Sequence, residues 1–213
     1  MYTPPAAVVH DLDDSSYDFA RLVWPAVAPL LGGGELIQVE TAASSDFAMK
    51  LDRLAGIDAI QALDGRLYGL ATRVQWGKSY GGYSVRWSRA SGNSTEFAKR
   101  LESIRASGSL YPHWTIQAYC SEPRTGHLLA AAACRTADLI GLLADGQPGR
   151  DFRVITNKDG GSSFAAVSWS AMITRGLAVH VVGGGAQTKT ASVSPAVQVA
   201  VNFDDWLDGP TSA

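Results

Sequence analysis

Cysteine is nearly missing from this chain, with Cys120 and Cys134 the only two in 213 residues and no CxxC spacing between them. That excludes a disulfide scaffold and predicts two buried thiols in a reducing compartment. Histidine is almost as sparse. His10, His113, His127 and His180 are scattered without zinc-ligand spacing, so no structural zinc site is expected. Long apolar runs are also lacking. The greasiest stretch, HLLAAAACRTADLIGLLADG, is broken by Arg135 and Asp138 and cannot be read as a membrane span. The amino-terminal MYTPPAAVVHDLDD has no basic region followed by an apolar one, so no secretory signal is expected and the predicted location is cytoplasmic. Neither sign of charge dominates: the formal net charge is −2, which gives no global attraction to polyanions. Lysine is scarce as well, five against thirteen arginines. Arginine is the better clamp for oxyanions because its planar fork binds two oxygens at once.

What is present is the composition of an ordinary globular domain, 46% apolar and 18% charged. Phe19, Leu22, Val23, Ala26, Val27 and Leu30 fall at helical spacing. Pro25 and Pro29 are expected to kink that helix and Gly32-Gly33-Gly34 to stop it. ELIQVET alternates as a strand, with Leu36, Gln38 and Glu40 on one face, and SSDFAMKLDRLAG reads as a short capped helix closed by Gly56. Asp64-Gly65 joins two strands, near 57–63 and 67–76, into a hairpin. GGYSVRWSR is a further strand, and NSTEFAKRLESIRASG a helix capped by Ser94 or Thr95 and stopped at Gly108. HWTIQAYC and GHLLAAAA pair around SEPRTG, and RTADLIGLLADG follows as a helix. DFRVITNKDGGSSFAAVSW makes another hairpin, and AVQVAVNF is a last strand. VVGGGAQTKT lacks the Gly-Lys-Ser/Thr ending of a phosphate loop and reads as a loop or bulge. One domain is expected over 1–213, with a core at about 16–146 and a β-rich extension at about 147–205.

The polar residues of the first hairpin are the most informative. Asp58 opens its first strand, while Arg73 and Gln75 share one face of its second. On a later strand Thr115, Gln117 and Tyr119 face one side, so Gln117 is a further candidate. Trp76, Tyr80, Tyr83 and Trp87 interleave with Lys78, Arg86 and Arg89, a pattern in which aromatic faces stack bases and cations hold phosphates. The same aromatics also suit the half-buried surface of a sheet.

From residue 16 to 120 the order of helix, three strands, an extra strand, helix and strand resembles the αβββαβ core of the PD-(D/E)XK nuclease superfamily, which includes restriction endonucleases and Holliday-junction resolvases. The resemblance covers about half the chain. It implies an α/β (α+β) fold, with a mixed central sheet and extra carboxy-terminal β-hairpins. It also implies hydrolysis of nucleic-acid phosphodiesters with Mg²⁺ or Mn²⁺, in a phage- or plasmid-encoded protein. In that family an Asp opens the second core strand and a (D/E)-x-K triplet lies on the third. GID places Asp58 as the metal-binding Asp, and ATR falls at the triplet, with Arg73 for the Lys and Ala71 for the acid. A complete metal site then needs a second carboxylate, from Glu40 or Asp52, with Gln75 orienting water or metal. Lys78, Arg86, Arg89, Trp76 and Tyr83 would hold the nucleic acid.

Two other readings remain open. Loss of the acid at Ala71 fits a catalytically inactive relative that binds nucleic acid or protein, or a structural or assembly protein of a mobile element. Asp58 then only closes a turn by accepting backbone N–H bonds, and Arg73 only pairs with Asp58 or Glu40. The expected partners are nucleic acid and no membrane, and the expected state is a monomer or homodimer.

Overall fold

The first helix shows how strongly proline acts on local geometry. The computed structural model describes residues 13–39, 55–106 and 110–183. Helix α1, residues 13–31, carries a π-type turn over Phe19–Val23, an α turn over Trp24–Val27 and a 3-10 turn over Ala28–Leu31. Pro25 and Pro29 have no N–H to give to the preceding turn, so the pitch changes around them rather than the helix ending. Gly32 ends it in the left-handed region, at φ 91°.

Among the described residues nine strands follow, in two sheets: β1 Glu35–Gln38, β2 Ala59–Leu63, β3 Arg66–Trp76, β4 Gly82–Arg89, β5 Trp114–Cys120, β6 Leu128–Arg135, β7 Arg153–Thr156, β8 Ser162–Ser168 and β9 Val179–Gly183. The six-stranded sheet has the order β1-β2-β3-β5-β6-β9, and the smaller sheet the order β4-β8-β7. All pairings in the large sheet are antiparallel except β3 with β5. A parallel pair requires a crossover. Here β4 and helix α2, Glu96–Arg105, supply it. Helix α3, Thr136–Asp145, follows β6, and α4, Trp169–Thr174, follows β8. The fold is α+β.

The β2–β3 hairpin forms because Asp64 and Gly65 both take positive φ, 50° and 72°, the geometry a tight two-residue connection needs. Alternation then sorts the side chains of β3. Leu70, Val74 and Trp76 face α1, in a core with Phe19, Val23, Val27, Ile116 and Ala133. Ala71, Arg73 and Gln75 alternate with them and face the opposite way. The core on that second side joins Tyr119, Ala132 and Cys134 of the large sheet to Tyr83, Val85, Ala165 and Val167 of the small one, with α3 and α4 packed in. The alanines of β6 contribute to both cores, Ala130 and Ala132 to one and Ala131 and Ala133 to the other. Small side chains there let layers approach from both sides.

Several sequence expectations need correction. The extra strand β4 pairs with β8, and the segment after residue 147, expected as a β-rich extension, supplies two strands beside β4 and returns β9 to the edge of the large sheet. Strand β1 ends at Gln38, not at Thr41, and Val39 leaves the strand conformation. Helix α2 ends at Arg105, before Gly108. The expected helix at 44–56 and the last strand AVQVAVNF lie largely outside the described residues. Among the described residues no helix is long and apolar enough to cross a membrane.

Candidate functional site

Arg73 leaves the middle of β3 on the face turned toward β4. Its guanidinium donates to Ser84 twice, to the carbonyl at 3.2 Å and to the hydroxyl at 3.1 Å. It also reaches the Glu96 carboxylate at 3.5 Å. With the two side chains 29% and 24% exposed, that ion pair contributes only about 0–1 kcal/mol to stability. The expected partners of Arg73 were Asp58 or Glu40; among the described residues its acidic partner is Glu96.

Register places Gln117 of β5 beside Arg73 and Tyr119 beside Gln75. The Gln117 amide donates to Gln75 Oε1 at 3.2 Å and accepts from the Ser84 N–H and hydroxyl at 3.3 and 3.1 Å. Arg73, Gln75 and Gln117 thus form one connected polar face, held to β4 through Ser84. Tyr119 donates to the Gly82 carbonyl at 2.7 Å and closes the far end of the same layer. Exposed Tyr80 lies 5.9 Å from the Tyr119 ring, with the Lys78 ammonium 5.0 Å from the Tyr80 ring.

Glu96 is the first residue of α2, where Thr95 caps the helix by accepting from the Ala98 N–H. Its carboxylate takes the Arg86 N–H at 3.1 Å and the Arg100 guanidinium at 2.7 Å. Burial works to raise its pKa, but Arg100, Arg73 and the Arg86 N–H outweigh it and hold the carboxyl below its ordinary range. Arg100 is buried, at 5% exposure. The Arg86 guanidinium has a different environment. It lies 5.3 Å from the Phe164 ring, which Arg73 also covers at 5.2 Å. Burial lowers the Arg86 pKa, and repulsion from Arg89 and Arg73 adds to it. Ser84, Glu96 and Phe164 escaped sequence reading. Glu96 reads as an ordinary acid at a helix start, and Phe164 lies 91 residues from Arg73.

The remaining candidates separate. Asp58 directly precedes β2, its N–H donates to the Leu70 carbonyl at 2.9 Å, and its carboxylate accepts the Thr72 N–H at 2.7 Å. The side chain thereby continues the β2–β3 ladder by one bond where β2 stops. Ala71 contributes no donor for a metal, and the described residues contain no cluster of three His, Cys, Asp or Glu side chains that could hold one. Glu40 and Asp52 lie outside the described residues. Trp76 is turned to the opposite face, where its indole donates to buried Asp18 at 2.8 Å. Tyr83 is 1% exposed in the core beside Trp169. Tyr83 therefore has no face free for a base, and Trp76 does not share the Arg73 face. Arg89 is exposed at the end of β4. Cys120 and Cys134 are buried, and burial raises their thiols to about 11 and about 12, so neither is a nucleophile at neutral pH.

No protein-family model, curated protein or solved structure matches the chain.

Proposed function

We propose that the chain is a nuclease-derived protein that binds nucleic acid by its phosphates on the Arg73 face. One observation carries the reading: two guanidiniums, Arg73 and Arg86, lie against one aromatic ring, 5.2 and 5.3 Å from the Phe164 centroid, with Gln75 and Gln117 continuing the Arg73 face. Planar forks held by an aromatic ring are suited to phosphate oxygens, and the amides can orient the sugar or base beside them. The order α1, β1, β2, β3, α2, β5, with β4 inserted, supports nuclease descent, as does a cation at the third strand's motif position.

The test is direct binding of short fluorescent DNA and RNA strands and duplexes, read by anisotropy. Arg73→Ala is expected to weaken binding about tenfold, and Arg73→Lys by less, because charge survives although the fork does not. Equal affinity in all three proteins would reject the reading.

A second reading, hydrolysis with Mg²⁺ or Mn²⁺, is favoured by one packing contact. Val39, the residue before Glu40, packs in one cluster with Ala55 and Ile57, the residue before Asp58. Asp58 alone is too few ligands for either ion, so this reading requires Glu40 or Asp52 as well. A metal bound only by the folded state stabilises it by mass action. On this reading millimolar Mn²⁺ raises the melting temperature of the wild type and not of Asp58→Ala. An equal response in both proteins removes Asp58 from any metal site.

A further inference from the structure

We propose that Arg73 and Arg86, backed by Arg100, form a subsite for the terminal phosphate of a nucleic-acid strand, a monoester rather than an internal phosphodiester. The proposal rests on the nucleic-acid reading above and names the part of the ligand that the arginine cluster takes.

The argument begins with charge. Arg73 from β3 and Arg100 from α2 both pair with Glu96, and Arg86 of β4 gives the same carboxylate its backbone N–H, so three arginines gather around one acid. Two positive charges are left over within the group. Glu96 pairs with Arg100 at 2.7 Å and with Arg73 only at 3.5 Å. From Arg86 it takes the backbone N–H and not the guanidinium.

Hydrogen bonding points the same way. Arg86 Nε is buried without a hydrogen-bond partner, and its guanidinium lies against the Phe164 ring. Arg100 Nε is buried and unpartnered too, in a side chain only 5% exposed. Buried donors are nearly always satisfied in folded proteins, so these two orphans, on arginines that both serve Glu96, call for acceptor oxygens that the described residues do not supply. Arg73 and Glu96 remain about a quarter exposed, which leaves the cluster open to a ligand.

The ligand that fits carries several acceptor oxygens and close to two negative charges. A phosphate monoester has both at neutral pH, since its second ionisation falls near pH 6. An internal phosphodiester carries one charge and would neutralise half the excess. Both guanidiniums lie against the Phe164 ring, 5.2 and 5.3 Å from its centroid, which keeps the two charges close enough to favour one dianion.

The experiment compares the full chain's affinity for matched fluorescent oligonucleotides ending in a 5′-phosphate or 5′-hydroxyl, and in a 3′-phosphate or 3′-hydroxyl. One phosphorylated end is expected to bind about tenfold or more tightly than its hydroxyl counterpart, as charge-assisted bonds to a dianion allow. In Arg86→Gln that ratio should fall to near one, and in Arg86→Lys it should be intermediate. Arg73→Gln should lower the ratio as well, which tests the cluster through a second residue if Arg86→Gln does not fold. Equal binding of phosphate and hydroxyl ends by the wild type overturns the subsite and leaves the nucleic-acid reading standing. A preference that survives both Gln substitutions also overturns it. Failure of every oligonucleotide to bind overturns the subsite together with that reading.

Discussion

Among the described residues, Asp151 and Glu96 are the two acids whose folded environment most favours the charged form, and each answers to arginines. The buried Asp151 carboxylate accepts from Arg150, from the Gln147 N–H at 2.7 Å and from Arg175. The Arg150 bonds and the Gln147 N–H together hold its carboxyl far below the usual range. Glu96 is also depressed, because its arginines outweigh burial. Both folded values lie below the unfolded ones, so the stability these acids contribute is fully present above about pH 4 and is lost as pH falls through the folded values. His113 and His180 act in the same direction at higher pH. Burial, with Arg135 nearby, lowers both below 6.5, so protonating them on acidification opposes folding. Urea denaturation between pH 7 and 3 should therefore show stability falling throughout, most steeply at the acid end. Asp151→Asn should flatten that final fall; an unchanged profile would mean Asp151 is not held as described. Asp58 differs from both, since its carboxylate extends a strand ladder through the Thr72 N–H. The melting response to Mn²⁺ distinguishes that structural use from metal binding.

Among the elements, the end of α1 is tied to β2 of the large sheet by one buried amide. Gln61, fully buried in β2, donates to the Leu31 carbonyl at 3.2 Å and the Gly33 carbonyl at 2.6 Å, tying down the end of the helix. Gln61→Leu fills the space but leaves both carbonyls without this donor. A loss of about 1–3 kcal/mol is expected by equilibrium denaturation; a loss below about 0.5 kcal/mol, the scatter of surface substitutions, would show the tether to be unimportant. The elements also show what local sequence can specify. The β2–β3 hairpin was legible because Asp64-Gly65 sets its turn and alternation sets its faces, and so was the shared face of Arg73 and Gln75. α4 was not legible, since its six residues follow β8 directly and the apolar run reads through without a break. β9 was missed because five residues beside a glycine run carry too little pattern. The partner of β4 was hidden for a different reason. Its pairing with β8 joins Arg86 to Phe164 across 78 residues, and nothing local encodes that. The site was only half readable on the same grounds: Arg73, Gln75 and Gln117 follow from strand periodicity, whereas Ser84, Glu96 and Phe164 join them only after the small sheet folds over the large one.

At the scale of the whole molecule, α1 covers one face of the large sheet, and the small sheet with its helices packs on the other. The Arg73 face lies between the two sheets, where β4 and the start of α2 meet β3 and β5. A net charge of −2 means this local excess of arginine must supply any attraction to a polyanion, so binding should respond to salt according to the few phosphates held there. The most direct measurement is the salt dependence of oligonucleotide affinity for the wild type and Arg73→Ala. If Arg73 holds a phosphate, log affinity falls with log salt in the wild type, and the variant's slope is shallower by about one. A slope that Arg73→Ala leaves unchanged, or no affinity at low salt, would contradict the account.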